Sequence, residues 1–315
     1  MNDLKMSGHI LCMGGINMDL VMFVPELPGP GETLVTDNFS TFPGGKGGNQ
    51  AVTAAALGGQ VSYFGKLARD SFSDELLDAM SGRGVDTRFV LRDADSTAGI
   101  AMIWVDSKGQ NSIVFTPGAN RLLMPEEVPE YDHCFTEGSI LLVTGEIKPD
   151  TVYAAIRQAK EKGMVVILDP APVPPLPLPD DIPGLVDIVK PNETEAGLLT
   201  GIKVTDFASA EHAARELHDI GFAVPVVTLG EQGAVALIDG EIHRLSPITV
   251  NVVDSTAAGD VFLGALAAVL SKGQSLVDAL NFANAAAALS TTRPGAQTSI
   301  PELSEVEALI AGQAF

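Results

Sequence analysis

Short runs rich in Val, Ile and Leu alternate with longer segments of helical period along most of the chain, and this alternation restricts the fold more than any other feature. A strand that is apolar at every position must be covered on both faces, and a helix between two such strands lets them pair in parallel. Apolar runs fall at residues 9–13, 61–65, 139–143, 165–169, 188–190, 225–229 and 234–238. Helical periods fall at about 48–57, 73–83, 148–162, 193–200, 208–220, 258–271 and 275–292. The expectation is an α/β chain built on a doubly wound, mostly parallel sheet flanked by helices. Two stretches interrupt the series, 20–42 and 96–117. Both alternate like strands and carry turn signals, Pro28-Gly29-Pro30-Gly31 and Ser107-Lys108-Gly109, so they could pair into a small separate sheet. The proline cluster between 170 and 183 reads as an extended surface connector.

With 315 residues, 46% of them hydrophobic, the chain can bury the core of one large α/β domain or two small ones. Lys and Arg number 19 against 40 Asp and Glu, a net charge of −21. No basic field exists to hold nucleic acid or an anionic membrane surface. No apolar run reaches the length of a spanning helix, and Cys12 and Cys134 form no C-x-x-C pair. Both cysteines read as buried hydrophobes in a reducing compartment, and the cytoplasm is the expected location.

Several familiar catalytic signatures are missing: G-x-x-x-x-G-K-[ST], H-E-x-x-H, G-x-S-x-G, and a G-x-G-x-x-G after the first apolar run. That run ends instead in Gly14-Gly15-Ile16-Asn17-Met18-Asp19, which disfavours a dinucleotide oxidoreductase. Three other segments carry chemistry. Val253-Asp254-Ser255-Thr256-Ala257-Ala258-Gly259-Asp260 runs straight into a helical stretch, where small residues let a ligand approach unpaired N–H groups at the positive end of the dipole. This is an anion hole at Ala257, Ala258 and Gly259. Asp260 in the first turn is also favoured by the dipole alone. Phe42-Pro43-Gly44-Gly45-Lys46-Gly47-Gly48-Asn49 can wrap a polar ligand, with Asn49 as donor and acceptor, or be a flexible turn. In Lys190-Pro191-Asn192-Glu193-Thr194-Glu195, the i, i+3 pair Asn192 and Glu195 suits hydrated magnesium or, equally, a helix cap. The five histidines lie outside these segments.

Taken together and in order, Gly-Gly-Lys-Gly-x-Asn at 44–49, Asn-x-Thr-Glu at 192–195, Thr228-Leu229-Gly230-x-x-Gly233 and Asp-x-Thr-Ala-Ala-Gly-Asp at 254–260 closely resemble the ribokinase (PfkB) family of sugar kinases. The likeness spans nearly the whole chain, including Asn284 and the tail from Arg293 to Pro301. The first motif looks like the ribokinase branch rather than fructokinases or adenosine kinases. The resemblance implies one domain over 1–315, with a β-sheet lid from about 18–42 and 96–117 through which the chain forms a homodimer. It implies an ATP-dependent kinase that phosphorylates the 5-hydroxyl of D-ribose. Another pentose, deoxyribose or a nucleoside is the alternative. The sugar would lie against Asn17, Asp19, Gly45, Lys46, Gly47, Asn49 and Glu146, with Asp260 as base. ATP would lie against Asn192, Thr228, Leu229, Gly230, Glu231, Gln232, Gly233, Gly259 and Asn284. Asn192 and Glu195 would order Mg2+, and an activating K+ would sit by Asp254, Thr256, Ser290, Arg293, Gly295 and Ser299. Departures from the pattern are Gly48 and Ser255, where ribokinases more often carry Ala and Thr, and Val143-Thr144-Gly145-Glu146, which lacks their usual Gln-Leu-Glu. The last bears on the choice of sugar. A binding protein that had kept this fold without turnover would not need Asp260 or the Asn192/Glu195 pair.

Overall fold

The structure, a computed structural model, describes residues 8–312. In chain order the elements are β1 (His9–Met13), β2 (Asn17–Phe23), β3 (Phe39–Gly44), α1 (Lys46–Ala56), β4 (Gln60–Ala68), α2 (Ser71–Gly82), β5 (Asp86–Asp93), β6 (Gly99–Val105), β7 (Asn111–Thr116), α3 (Glu127–Glu130), β8 (Ile140–Thr144), α4 (Pro149–Glu161), β9 (Val165–Asp169), α5 (Ile182–Leu185), β10 (Ile188–Val189), α6 (Glu193–Thr200), α7 (Phe207–Ile220), β11 (Val224–Thr228), β12 (Ala234–Ile238), β13 (Glu241–Leu245), α8 (Ala258–Ser271), α9 (Leu276–Ser290) and α10 (Leu303–Ile310).

Nine strands form the main sheet in the order β13-β12-β11-β10-β9-β8-β1-β4-β5. Every pairing from β11 across to β5 is parallel, and β12 and β13 add an antiparallel edge. Side chains alternate across a strand, and β1 shows what that does here. Ile10 and Cys12 join one core with α1, α8 and α9, while Leu11 and Met13 join the other with α4 and α7. All four are fully buried, as a strand covered on both faces requires. Cys12 and Cys134 are buried and unbonded, the role of small hydrophobes. No helix of the described residues is long and apolar enough to cross a membrane.

Helices α2, α6, α7 and α9 begin on a side-chain cap. Asp70 accepts from the Ser73 amide at 2.8 Å to open α2, and Ser275 accepts from the Asp278 amide at 3.1 Å to open α9. By contrast α1 and α8 start without one, on Gly45 (φ 86°) and Ala257 (φ 61°). These two helices pack closely because Gly264 leaves no side chain between them. A Cβ there would stand 2.6 Å from the Gln50 carbonyl oxygen. The shared packing brings both uncapped starts to one place.

The two interrupting stretches supply a second sheet, in the order β3-β2-β6-β7, with β2 and β6 parallel and the outer pairs antiparallel. Only the ends of 20–42 are strand. Residues 24–38 are irregular, because Pro25, Pro28 and Pro30 cannot donate to a ladder. The sequence reading lacked β5, β13, α3, α5 and α10. The two strands are sheet edges with charged residues, Asp-Thr-Arg-Phe-Val-Leu-Arg-Asp and Glu-Ile-His-Arg-Leu, so an apolar run does not mark them.

Candidate active site

A cleft of about 630 Å³ opens between the carboxyl ends of the main strands and the second sheet. The turn after β1 delivers Asn17, the turn after β8 delivers Glu146, β9 ends on Asp169, Lys190 follows β10, and Thr228 ends β11. From above, Ala101, Ile103, Ile113 and Phe115 of the second sheet line the same space. The close approach of turns here depends on glycine. Gly45 has φ 86°, and a Cβ on it would meet the Gly15 carbonyl oxygen at 2.6 Å. A Cβ on Gly44 would meet the Asp19 carboxylate at 2.5 Å.

Asp260 lies at the floor of the cleft, 3% exposed. Asn49 Nδ2 donates to its Oδ2 at 3.0 Å, Gln50 Nε2 donates to its Oδ1 at 3.1 Å, and Lys46 Nζ stands 3.6 Å from Oδ1. Gln50 Nε2 also donates to Asp169 Oδ2 at 2.8 Å, and Lys46 Nζ reaches the same oxygen at 3.4 Å. One lysine and one amide therefore hold two buried carboxylates in fixed orientation. Burial alone would lower the Lys46 ammonium, but the carboxylates of Asp260, Asp169 and Glu146 more than offset it and hold it above its ordinary range. Glu146 Oε2 accepts from the Lys46 amide at 2.8 Å, at the uncapped start of α1. Burial, reinforced by nearby Asp260, pushes the Glu146 carboxyl up to about 7. Burial raises Asp19 to about 6.

At the start of α8, the N–H groups of Ala257 and Gly259 meet no acceptor among the described residues, whereas the Asp260 and Val261 amides are bonded to the Ala257 carbonyl, both at 2.9 Å. Asn49 Oδ1 is buried with no protein partner. Asn17 Oδ1 is held by Asn120 Nδ2 at 2.9 Å. Gly47 lies beneath the cleft, where a Cβ would stand 2.7 Å from the Gly14 Cα.

The remaining expected site residues divide by position. Asn192 and Glu195 line the cleft but also form the reciprocal capping box of α6. Asn192 Oδ1 accepts from the Glu195 amide and Glu195 Oε2 from the Asn192 amide, both at 2.9 Å. Glu195 Oε1 has no hydrogen bond among the described residues, and Glu195 lines the cleft. Thr228, Gly230, Gly233 and Asn284 line the far end of the cleft, and Asn284 Nδ2 donates to the Ser246 carbonyl at 2.8 Å. Leu229 is buried in the core, and Glu231 and Gln232 are exposed and do not line the cleft. Behind the α8 start, Asp254 accepts from the Thr256 amide (2.9 Å), the Thr256 hydroxyl (2.7 Å) and the Gly295 amide (2.8 Å), which ties the loop to the tail. Burial opposes ionisation of Asp254, and these bonds outweigh it, holding the carboxyl below its ordinary value. Ser290 and Ser299 hydroxyls donate to the Ala287 and Ala296 carbonyls, each at 2.8 Å, and Arg293 pairs with Glu305. Carbonyl oxygens, rather than these side chains, are what the two segments can offer a cation.

Sequence reasoning assigned no role to Asp169, Gln50, Asn120 or Lys190, which the fold brings into the cleft or directly beneath it. An acid at the carboxyl end of a buried strand was a usable signal for Asp169. Nothing local marks Asn120, which bonds to Asn17 across 103 positions.

A doubly wound sheet with a polar cleft at its strand ends, roofed by a second sheet, defines an α/β enzyme that holds its ligands between two layers. Residues 7–303 match the pfkB family carbohydrate kinase description, and the chain belongs to that family. A ribokinase of Haemophilus influenzae is 38% identical over 293 residues, 93% of this chain and 95% of the relative. The crystal structure of a Thermotoga maritima ribokinase is 36% identical and superposes with a TM-score of 0.86, over 96% of this chain and 99% of that one. A ribokinase of Arabidopsis thaliana, solved in complex with ribose and ATP, is 31% identical with a TM-score of 0.86, over 96% and 98%. The protein is thus a phosphotransferase acting on a sugar hydroxyl.

Proposed function

We propose that this sugar kinase moves the γ-phosphoryl group of ATP to the primary 5-hydroxyl of D-ribose, giving D-ribose 5-phosphate and ADP. The observation that carries the reading is Asp260, a buried carboxylate in the first turn of α8 beside the unbonded amides of Ala257 and Gly259. The sugar lies against Asn17, Asp19, Gly45, Lys46, Asn49 and Glu146 beneath the second sheet, which acts as the lid of a single domain. Asn49 Oδ1, buried and unpartnered, accepts from a sugar hydroxyl. ATP runs along Thr228, Gly230, Gly233 and Asn284, which line the cleft, with its terminal phosphate at the start of α8.

A sugar hydroxyl is far too weak an acid to ionise beforehand. As its oxygen bonds to the γ-phosphorus and the bond to the β,γ-bridging oxygen breaks, its proton passes to Asp260 and ADP leaves. The Ala257 and Gly259 amides donate to the charge that builds on the phosphoryl oxygens. The free Glu195 Oε1, with Asn192 beside it, fits the few protein contacts that hydrated Mg2+ takes, and that ion supplies charge neutralisation on the β- and γ-phosphates. Carbonyls of the joined 254–256 and 290–299 segments fit K+, which supplies positive charge behind the anion hole. The apolar residues exposed on the second sheet make it the surface of a homodimer.

The test is a panel of pentoses, deoxyribose, hexoses and nucleosides with ATP, read by ADP release and by the position of the new phosphate. Ribose is expected to give the highest kcat/KM with phosphate on O5. A higher value for deoxyribose or a nucleoside replaces the substrate, and transfer to no acceptor removes the reading.

A further inference from the structure

Lys190 follows the last residue of β10, and its amide donates to the Leu168 carbonyl at 3.1 Å, which locks its backbone to the carboxyl edge of the sheet. It is 3% exposed, and it lines the cleft. Its Nζ lies 3.0 Å from the place a Cβ on Gly259 would occupy. Among the described residues it has no hydrogen bond and no ion pair through its side chain. This is unusual in a chain with 40 acidic residues against 19 basic ones. The other cleft lysine, Lys46, is committed to Asp169 and Asp260.

A buried ammonium without a partner is costly. Here it also faces the positive end of α8, whose Gly259 amide is equally unspent. Two positive groups converging on one space repel unless an anion lies between them. The residue opposite is glycine, so the ammonium can approach the backbone directly. No carboxylate of the described residues pairs with Lys190, and the anionic ligand of a kinase is the nucleotide phosphate.

We propose that Lys190 is a catalytic residue, its Nζ donating to a non-bridging oxygen of the phosphoryl group in flight opposite the Gly259 amide. The inference rests on the phosphoryl-transfer reading above. As the bond from the sugar oxygen to the γ-phosphorus forms and that to the β,γ-bridging oxygen breaks, negative charge accumulates on the equatorial oxygens. Lys190 meets that charge, Asp260 takes the hydroxyl proton, and ADP departs. Lys190 keeps its own proton throughout.

The experiment compares wild type with Lys190→Met and Lys190→Gln, two uncharged chains, so that a folding failure in one leaves the other to decide. Expected is a fall in kcat of roughly 10²–10³, with the Kd of sugar and of ADP within about threefold. Binding of ADP with aluminium fluoride, which mimics the phosphoryl group in flight, should weaken about a hundredfold or more. The melting temperature should be unchanged or higher, since an apolar chain replaces a buried unpaired charge. A kcat within threefold of wild type overturns the proposal. So does a fall in kcat accompanied by equal losses of ADP and sugar binding, which marks a structural lysine. If wild type transfers phosphate to no alcohol, the parent reading fails and takes Lys190 with it. If wild type is active and both variants match it, Lys190 alone is removed.

Discussion

At the residue scale the cleft is a problem of charge. Glu146, Asp169 and Asp260 crowd around Lys46, and the protein manages them by sharing amides rather than by adding cations. Replacing Asp260 by Asn keeps the shape and one of the two bonds accepted from Asn49 and Gln50, and it removes the proton acceptor. Turnover should fall by about 10²–10⁴ while the sugar Kd holds, measured by single-turnover kinetics and calorimetry. Glu146 makes a second prediction. Its carboxyl is raised from 4.5 to about 7, so between those values the folded state binds more protons than the unfolded one. Stability tied to this group is complete below pH 4.5 and is lost as the pH rises through about 7, on the order of a few kcal/mol in all. Thermal melts of wild type and Glu146→Gln across pH 4.5–8 should show the wild type losing ground to the variant and the gap levelling above pH 7. Asp19, raised to about 6, adds a slope of the same sign to both proteins. A constant gap would sink the assignment.

At the element scale, α1 and α8 start without the side-chain cap that opens α2, α6, α7 and α9, and their packing makes one site of two loops 210 residues apart. Gly264 sets that spacing. Gly264→Ala should cost about 1–3 kcal/mol by overpacking against Gln50 and Thr53, read as a lower urea midpoint at unchanged m-value. It should also depress kcat, because Gln50 orients Asp260. Full activity in a destabilised variant would show that the helix starts move independently. This spacing was partly legible: Gly and Ala populate both helices in the sequence, which marks close approach, but not which partner each one meets. Edge strands were illegible for the opposite reason, since half-exposed strands carry charges that hide their period.

At the scale of the whole molecule, the second sheet is the element that a lone chain explains least. Val114 is 60% exposed, and Phe23, Phe39 and Met102 are also exposed, while Ile113 and Phe115 line the cleft. An apolar surface of this kind on a short sheet with open edges is covered when two chains associate. Sedimentation of wild type should give a dimer, and Val114→Glu should shift it toward monomer with little change in the melting temperature of the isolated chain. A monomeric wild type at micromolar concentration would dismiss the homodimer.

Local pattern was enough for the seven inner strands of the main sheet, because a strand buried on both faces must be apolar throughout. The order of the glycine-rich motifs was likewise enough for the family. What the motifs could not say is who faces whom. Asn192 and Glu195 could have been a cation pair or a cap, and the fold spends two of their atoms on the cap. Gln50 could have been a solvent-facing amide, and the fold makes it the link between Asp169 and Asp260. Lys190 could have been a surface charge, and the fold buries it against the start of α8. Such pairings depend on distances closed by packing between segments 70 to 210 positions apart, and only the folded chain brings those groups within a few ångströms of one another.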